Sequence, residues 1–166
     1  MNEARNAAAH ACPAQNYLFI EDDTSMPPDL LRKAEAWLTP ETGALGGPDI
    51  LPPQMDVMAE ALDIMLNSGL GSPGRSKGAF SDDVFIPRKD YFLVPSAVYK
   101  MFGPFPEDAL FSTETEFARR LREAGLKVQY MFDNPIWHRR TTTFSRFVRR
   151  NILISREKVG MLLHRG

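Results

Sequence analysis

Tyr17-Leu18-Phe19-Ile20-Glu21-Asp22-Asp23 is the stretch from which the fold of this chain is best predicted. Its four consecutive apolar residues indicate a strand buried on both faces, as in a sheet covered by helices. The three carboxylates that follow stand at the carboxyl end of the strand, where open α/β sheets bind their ligands. We therefore expect an α/β fold with an acidic site at this edge of the sheet.

The three adjacent carboxylates suggest a metal site. They repel one another, and a divalent cation that prefers oxygen ligands, Mg²⁺ or Mn²⁺, relieves the repulsion. Because side chains alternate along an extended chain, Glu21 and Asp23 should point together while Asp22 points away. The alternative is a strand that ends in a solvated acidic turn. The spacing leaves both interpretations open.

Composition sets the broad class of the protein. The chain has 166 residues, 43% hydrophobic and 25% charged, which fits one ordered globular domain with a real core. Its single cysteine, Cys12, excludes an internal disulfide and suits a reducing compartment, so we expect a cytoplasmic protein. No signal peptide is expected, since Met1-Asn2-Glu3-Ala4-Arg5 precedes no apolar run, and no segment approaches the roughly 18 apolar residues of a membrane span.

The net charge of −1 conceals an uneven distribution of charge. Residues 139–166 contain eight Lys and Arg and one acid, Glu157, so their net charge is +7; the remaining 138 residues carry −8. An acidic body with a basic tail should bind something anionic through that tail. The tail has Phe144, Phe147, Val148 and Ile152 on one side, a pattern typical of helices that lie on anionic membranes, cap a domain core or bind phosphates.

Apolar spacing predicts several further elements. Residues 3–15 are expected to be helical up to Pro13, and a second helix should run from Pro27-Pro28 to Leu38. Its core face should consist of Leu30, Leu31, Ala34, Trp37 and Leu38. Residues 54–67 should form a helix whose methionine-rich stripe, which includes Met58, is core. The segment 67–90, with Arg75 and Lys77, is either a basic flap over an anionic ligand or a plain flexible insertion.

Short strands are predicted at residues 44–46, 91–94 and 126–132. The first runs into Gly46-Gly47-Pro48, where Gly47 either permits close approach of a ligand to the backbone or only forms a turn. The last leads to His138-Arg139-Arg140. A lone histidine after a strand is more often structural than a ligand, unless the acidic cluster lies nearby.

Thr113-Glu114-Thr115-Glu116 opens a helix that should end at Gly125. Thr113 and Glu116 have the spacing of a capping box, and Gly125 suits the position after the last helical turn. Glu114 would then be unpaired in the first turn, where the positive end of the helix favours the ionised form. It is a candidate general base, and the alternative is an acid that only complements the helix dipole.

The order of four motifs resembles that of family 2 glycosyltransferases with the GT-A fold. The motifs are Ala4-Arg5-Asn6 before a strand; Glu21-Asp22-Asp23 with Pro27-Pro28, similar to an Asp-x-Asp motif; Glu114-Thr115-Glu116-Phe117 with Arg120-Leu121 and Gly125; and a strand that leads to His138. The resemblance covers roughly residues 4–140. It implies a GT-A-like α/β fold, a mixed sheet flanked by helices, with residues 1–140 as the catalytic domain and 141–166 as a basic amphipathic helical tail.

The resemblance also implies an activity and a set of site residues. A sugar would pass from a nucleotide-sugar donor to a hydroxyl of a glycan or glycolipid, with inversion, as in polysaccharide biosynthesis. Asp23, Glu21 and His138 would bind Mn²⁺ or Mg²⁺ against the donor diphosphate, and Glu114 would be the catalytic base. The expected donor-binding residues are Arg5, Asn6, Asp22, Gly47, Arg139 and Arg140.

The chain departs from the family pattern in two respects. Thr113 stands where an acid normally precedes the base, and the base is Glu rather than Asp, which moves the carboxylate by more than an ångström. The strand–helix–strand region that grips the nucleotide base is not visible ahead of Arg5, so we expect an N-terminally truncated domain.

Two alternatives to a transferase therefore stay open. One is a non-catalytic remnant or binding module, and the other is a protein that binds an anionic membrane surface at the inner face of the cell membrane through the basic tail. Nucleic acid is not an expected partner, because the body is acidic and no known binding module appears.

Overall fold

The computed structural model describes residues 2–53, 57–67, 88, 91–107 and 113–139, together with residues 145, 147–149, 152–153 and 155–156 of the C-terminal segment. The proposed flap residues Arg75 and Lys77 lie outside these ranges, as does Arg140.

The described part of the chain contains both helices and short strands. The helices are α1 (Asn2–Ala11), α2 (Leu30–Glu35), α3 (Val57–Asn67), α4 (Ser96–Phe102) and α5 (Thr113–Glu123). The strands are β1 (Asn16–Ile20), β2 (Thr24–Ser25), β3 (Thr42–Gly46), β4 (Asp49–Ile50), β5 (Tyr91–Pro95), β6 (Lys127–Tyr130) and β7 (Ile136–His138). They form a mixed α/β fold, in agreement with the predicted GT-A-like class.

The main sheet has the strand order β1-β5-β3-β6. Because β5 is antiparallel to both β1 and β3, and β6 is parallel to β3, three of the four strands run in the same direction. The carboxyl ends of β1, β3 and β6 therefore emerge at one edge of the sheet, which is the edge predicted to carry the acidic site.

A second sheet continues from these three ends. Its strand order is β2-β7-β4, and β2, β4 and β7 follow β1, β3 and β6 respectively along the chain. Backbone pairing brings Thr24 opposite His138 and Asp49 opposite Ile136. Segments that are far apart in sequence are thus fixed side by side just beyond the main sheet.

Each face of the main sheet has its own core. Side chains alternate along β5, so that Phe92 and Val94 pack toward α1, α4 and α5, while Tyr91 and Leu93 pack toward α2 and the second sheet. The first face is rich in aromatic rings, among them Tyr17, Phe19, Tyr99, Phe105 and Phe117. Burial on both faces explains why β1 and β5 read as continuous apolar runs.

Three apolar residues expected in the core are exposed instead. Ile20 is 40% exposed at the last position of β1, which lies at the end of the strand order. Leu31 is 57% exposed because α2 buries Leu30 and Ala34 on its other side, and Met58 is 45% exposed on α3. The stripes predicted from spacing were therefore too wide on α2 and wrong at Met58 on α3.

The two ends of α5 differ in how well they match the prediction. At the C-terminal end, Leu126 N–H donates to Leu121 C=O and Gly125 N–H donates to Arg122 C=O, with Gly125 at φ 79°, which is a Schellman motif as expected. At the other end the helix already begins at Thr113. Thr113 accepts a hydrogen bond from Asn2, and Glu116 pairs with Arg119.

In the C-terminal segment, the described residues are helical and mostly exposed, including the apolar Val148, Ile152 and Leu153. The division at residue 140 stays a prediction. Among the described helices, none combines the length and the apolar character needed to cross a bilayer.

Candidate active site

Glu21, Asp23 and His138 converge at the shared edge of the two sheets. Each offers one ligand atom, and these atoms lie within 4.8 Å of one another. His138 Nε2 is 3.1 Å from Asp23 Oδ1. Glu21 and Asp23 come together as predicted, but a turn achieves this: Thr24 N–H donates to Glu21 C=O at 3.2 Å. Two carboxylates and an imidazole in this arrangement suit a divalent metal ion.

Backbone pairing holds the two sides of this cluster together. Thr24 pairs with His138 in the second sheet, and the Arg139 N–H donates to the Asp23 carbonyl at 3.0 Å. The histidine therefore lies beside the acidic cluster, which is the condition under which a role as a ligand was predicted for it. Its position depends on strand pairing rather than on side chains alone.

His138 lies between two carboxylates. Its Nδ1 is 3.3 Å from Oδ2 of Asp49, whose side chain is 1% exposed. The same oxygen accepts a hydrogen bond from Arg88 Nη1 at 2.6 Å. Arg88, Asp49 and His138 thus form a continuous chain of polar contacts that ends at Asp23. Burial is the main cause that raises the pKa of the nearby Tyr130 phenol. Arg88 lowers this pKa and Asp49 raises it to a smaller extent.

Glu114 forms an ion pair with Arg5. Arg5 Nη1 is 2.7 Å from Glu114 Oε1, and the two side chains are only 10% and 12% exposed. The expectation that Glu114 would be unpaired is therefore wrong. The Arg5 guanidinium also lies 5.8 Å from the ring centroids of Phe19 and Phe105. Because Phe19 precedes Glu21 by two residues, the pair lies close to the strand end that carries the acidic cluster.

Helix α1 is fastened to the loop that precedes α5. Asn6 Oδ1 accepts hydrogen bonds from Tyr99 Oη at 2.6 Å and Phe105 N–H at 3.0 Å, and Asn6 Nδ2 donates to Phe105 C=O. Asn2 Nδ2 donates to Thr113 Oγ1 and to Pro106 C=O. These bonds fix Arg5 in front of Glu114. They give Asn6 a structural part, while its predicted contact with a donor stays a prediction.

Gly47 lies between Tyr91 and the turn after β6. A Cβ atom at this position would lie 2.6 Å from Tyr91 Cε1 and 2.7 Å from the Asn134 carbonyl oxygen. Protein atoms therefore make the close approach at Gly47, and the predicted approach of a ligand to its backbone stays a prediction. Asp22 and Arg139 lie next to the cluster and are exposed to solvent. Their predicted contacts with a donor stay predictions.

A model of the family described as "Glycosyl transferase family group 2" matches residues 18–152. The chain belongs to this family. A search of curated proteins gave no match to the chain. The matched span of this glycosyltransferase contains Glu21, Asp23, Glu114 and His138, whereas Arg5 and Asn6 precede it. Membership explains the order of the motifs and implies a nucleotide-sugar donor and an acceptor as substrates.

One residue beside the site of this family 2 glycosyltransferase, Asp49, was missed in the sequence. Asp49 follows β3 as closely as Asp23 follows β1, so an acid soon after a strand end was the available signal. Arg88 belongs to the basic segment 67–90 that was predicted to be a flap or a plain insertion, but its pairing with Asp49 joins positions 39 residues apart and could not be read from the sequence.

Proposed function

We propose that the protein is an inverting, metal-dependent glycosyltransferase that moves a sugar from a nucleotide-sugar donor to a hydroxyl of a glycan or glycolipid. The observation that carries the proposal is the convergence of Glu21, Asp23 and His138 at the carboxyl ends of parallel strands. Membership of the family supports the transfer of a sugar, and this cluster supports dependence on a metal.

The donor set fits Mn²⁺ or Mg²⁺. Carboxylate oxygens are ligands of both ions, and the imidazole nitrogen favours the softer Mn²⁺. Asp23 and Glu21 would hold the ion from one side and His138 from the other. When bound, the ion supplies positive charge that stabilises the diphosphate of the donor as its negative charge grows.

Glu114 is the proposed catalytic base. Its carboxylate accepts the proton of the acceptor hydroxyl while the hydroxyl oxygen attacks the anomeric carbon, and the nucleoside diphosphate departs from the opposite face. Attack opposite the departing group inverts the configuration. Arg5 orients the carboxylate through the 2.7 Å ion pair, and this restraint compensates for the longer reach of Glu compared with Asp.

The remaining predicted donor residues are proposed to contact the donor near this centre. Arg139 follows His138 directly and is exposed, so its side chain is available for a phosphate. Arg140, Arg75 and Lys77 are proposed to add positive charge at the same place. Asp22, Asn6 and Gly47 are proposed to line the donor side.

A transfer assay tests this function. The protein is incubated with a panel of nucleotide-sugars, a mixture of glycan and glycolipid acceptors and Mn²⁺, and release of nucleoside diphosphate is measured. We expect release that requires the acceptor and is abolished by EDTA and by Asp23→Ala. Glu114→Gln should lower kcat by about 10²- to 10⁴-fold, the usual contribution of a general base.

A matched control is Glu123→Gln, which makes the same change at the exposed end of α5 and should leave turnover unchanged. Anomeric proton NMR of the product reports the stereochemistry. Retention of configuration, or full activity in Glu114→Gln, would contradict the proposed mechanism. Binding of nucleoside diphosphate without turnover in every combination would favour the alternative of a binding module.

We also propose that the tail 141–166 places the protein at the inner, anionic face of the cell membrane. Its described residues expose the apolar Val148, Ile152 and Leu153 together with Arg149 and Arg156, which suits a lipid surface. Flotation with vesicles that contain phosphatidylserine should recover the protein at low salt and lose it at high salt. Equal recovery with neutral vesicles, or none with either, would contradict this placement.

A further inference from the structure

We propose that Asp49, held by Arg88, is a positioning residue that fixes the ring orientation and the tautomer of His138 for metal binding. This inference rests on the proposed function, because it assumes that His138 is a ligand. It adds two residues, Asp49 and Arg88, that lie outside the three candidate ligands.

The first step of the argument is the burial of Asp49. Its side chain is 1% exposed, and burying an isolated carboxylate is costly. Arg88, whose side chain is 16% exposed, donates to Oδ2 at 2.6 Å and supplies the opposite charge. Burying an Arg–Asp pair has a large desolvation cost. The pair provides a fixed, charged hydrogen-bond acceptor beside β7.

The second step is the geometry at the imidazole. Asp49 Oδ2 lies 3.3 Å from Nδ1, and Asp23 Oδ1 lies 3.1 Å from Nε2, so the two acids face opposite ring nitrogens. A neutral imidazole carries one N–H. If the ionised, Arg-paired Asp49 accepts the Nδ1–H, the lone pair of Nε2 is directed toward Asp23 and Glu21. Metal-binding histidines commonly donate their other nitrogen to a carboxylate in this way.

The third step is the rigidity of the support. Asp49 begins β4, which pairs in parallel with β7. Asp49 is opposite Ile136, which precedes His138 by two residues. Gly47, packed against Tyr91 and the Asn134 carbonyl, fixes the chain just before Asp49. The acceptor is therefore held by a strand and a packed turn rather than by a free loop.

The tautomer of His138 tests the proposal directly. Long-range ¹H–¹⁵N NMR over a pH series distinguishes the imidazolium from the two neutral forms, and the tautomer is read where His138 is neutral. We expect the His138 signals of the Nδ1–H tautomer in the wild-type protein and a shift toward the other form in Asp49→Leu. A wild-type protein with the Nε2–H tautomer would overturn the proposal.

Metal affinity gives the second readout. The dissociation constant for Mn²⁺ is measured by electron paramagnetic resonance of the free ion for wild type, Asp49→Asn and Arg88→Gln. We expect binding about 10- to 100-fold weaker in Asp49→Asn, as is usual for a residue that orients a metal ligand, and a smaller loss in Arg88→Gln. Asp133→Asn removes the same charge from the exposed turn before β7 and serves as the matched control.

The outcomes separate this inference from the proposed function. If the wild-type protein and Asp49→Asn bind Mn²⁺ equally, Asp49 has no positioning role although the metal site stands. If the wild-type protein binds no Mn²⁺, the metal site of the proposed function fails and the inference fails with it. If Asp133→Asn weakens binding as much as Asp49→Asn, the effect is one of general charge, and the proposal is overturned.

Discussion

Arg5 and Glu114 are 109 residues apart in sequence and form a nearly buried ion pair of 2.7 Å. The pair joins the first helix of the chain to the helix that carries the proposed base, and the rings of Phe19 and Phe105 flank the guanidinium. Removing one partner of such a pair leaves the other charge with little access to water.

Arg5→Ala should therefore destabilise the protein by about 3 kcal/mol, the lower part of the range for breaking a buried pair. Urea unfolding measures the change in the free energy of unfolding. Arg32→Ala is the control, because Arg32 and Asp29 form an exposed pair on α2 whose loss should cost less than about 1 kcal/mol. Equal effects of the two substitutions would show that the Arg5 pair is no stronger than a surface pair.

The predictions from sequence were accurate where one segment contains its own signal. The strands β1, β5 and β6 are apolar or alternating runs, and the Schellman motif of α5 follows from one glycine at the right place. A role for His138 as a ligand was predicted on the condition that it lies near the acids. In each case, the residues that decide the outcome lie within a few positions of one another.

Predictions failed where the outcome depends on a distant partner. Strands β2 and β4 have two residues each, too few for any period, and exist because β1, β3 and β6 all end at the same edge of the main sheet. The partners of Glu114 and Asp49 come from other parts of the chain and could not be read locally. Leu31 is exposed because the face of α2 that packs against the sheet is narrower than the apolar stripe predicted from spacing.

Gly47→Ala should destabilise the protein by about 1–3 kcal/mol through overpacking. The added methyl group would meet the Asn134 carbonyl oxygen at 2.7 Å, and a backbone atom cannot move aside as the end of a side chain can. The free energy of unfolding should fall. The Mn²⁺ dissociation constant should rise, since Asp49 lies two residues away. Wild-type values for both would refute the packing role of Gly47.

Gly125→Ala should cost about 1 kcal/mol for a different reason. Among the described residues, no atom outside the neighbouring residues lies within 4 Å of a Cβ built there, so the cost is that of holding φ at +79° with a side chain. Gly125→Asn should cost less than Gly125→Ala, because Asn tolerates the left-handed conformation better. Thermal unfolding of the two variants gives the order, and the reverse order would contradict a purely conformational cost.

Stability should fall at alkaline pH because of buried tyrosines. Burial is the main cause that raises the pKa of Tyr91, Tyr99 and Tyr130 above the ordinary value. The folded state thus keeps the neutral phenols, and their contribution is complete below the unfolded pKa of about 10 and is lost as pH rises through the folded values. Urea unfolding between about pH 8 and 11 should show a declining free energy over the upper part of this range.

Tyr99→Phe isolates one of these groups. At neutral pH it should lower stability by about 1 kcal/mol, because Tyr99 Oη donates to Asn6 Oδ1 at 2.6 Å. Above about pH 10 the difference from wild type should shrink, since the variant has no phenol to ionise. A constant difference across the pH series would show that Tyr99 does not contribute to the alkaline loss.

The second sheet has a consequence for the order of events during synthesis. Its middle strand, β7, is the last of the described strands to be made, and both β2 and β4 pair with it rather than with each other. A growing chain that has released Glu21, Asp23 and Asp49 still lacks the strand that aligns them. The three-residue candidate metal site is therefore complete only after residue 138 has left the ribosome, because a shorter nascent chain lacks His138.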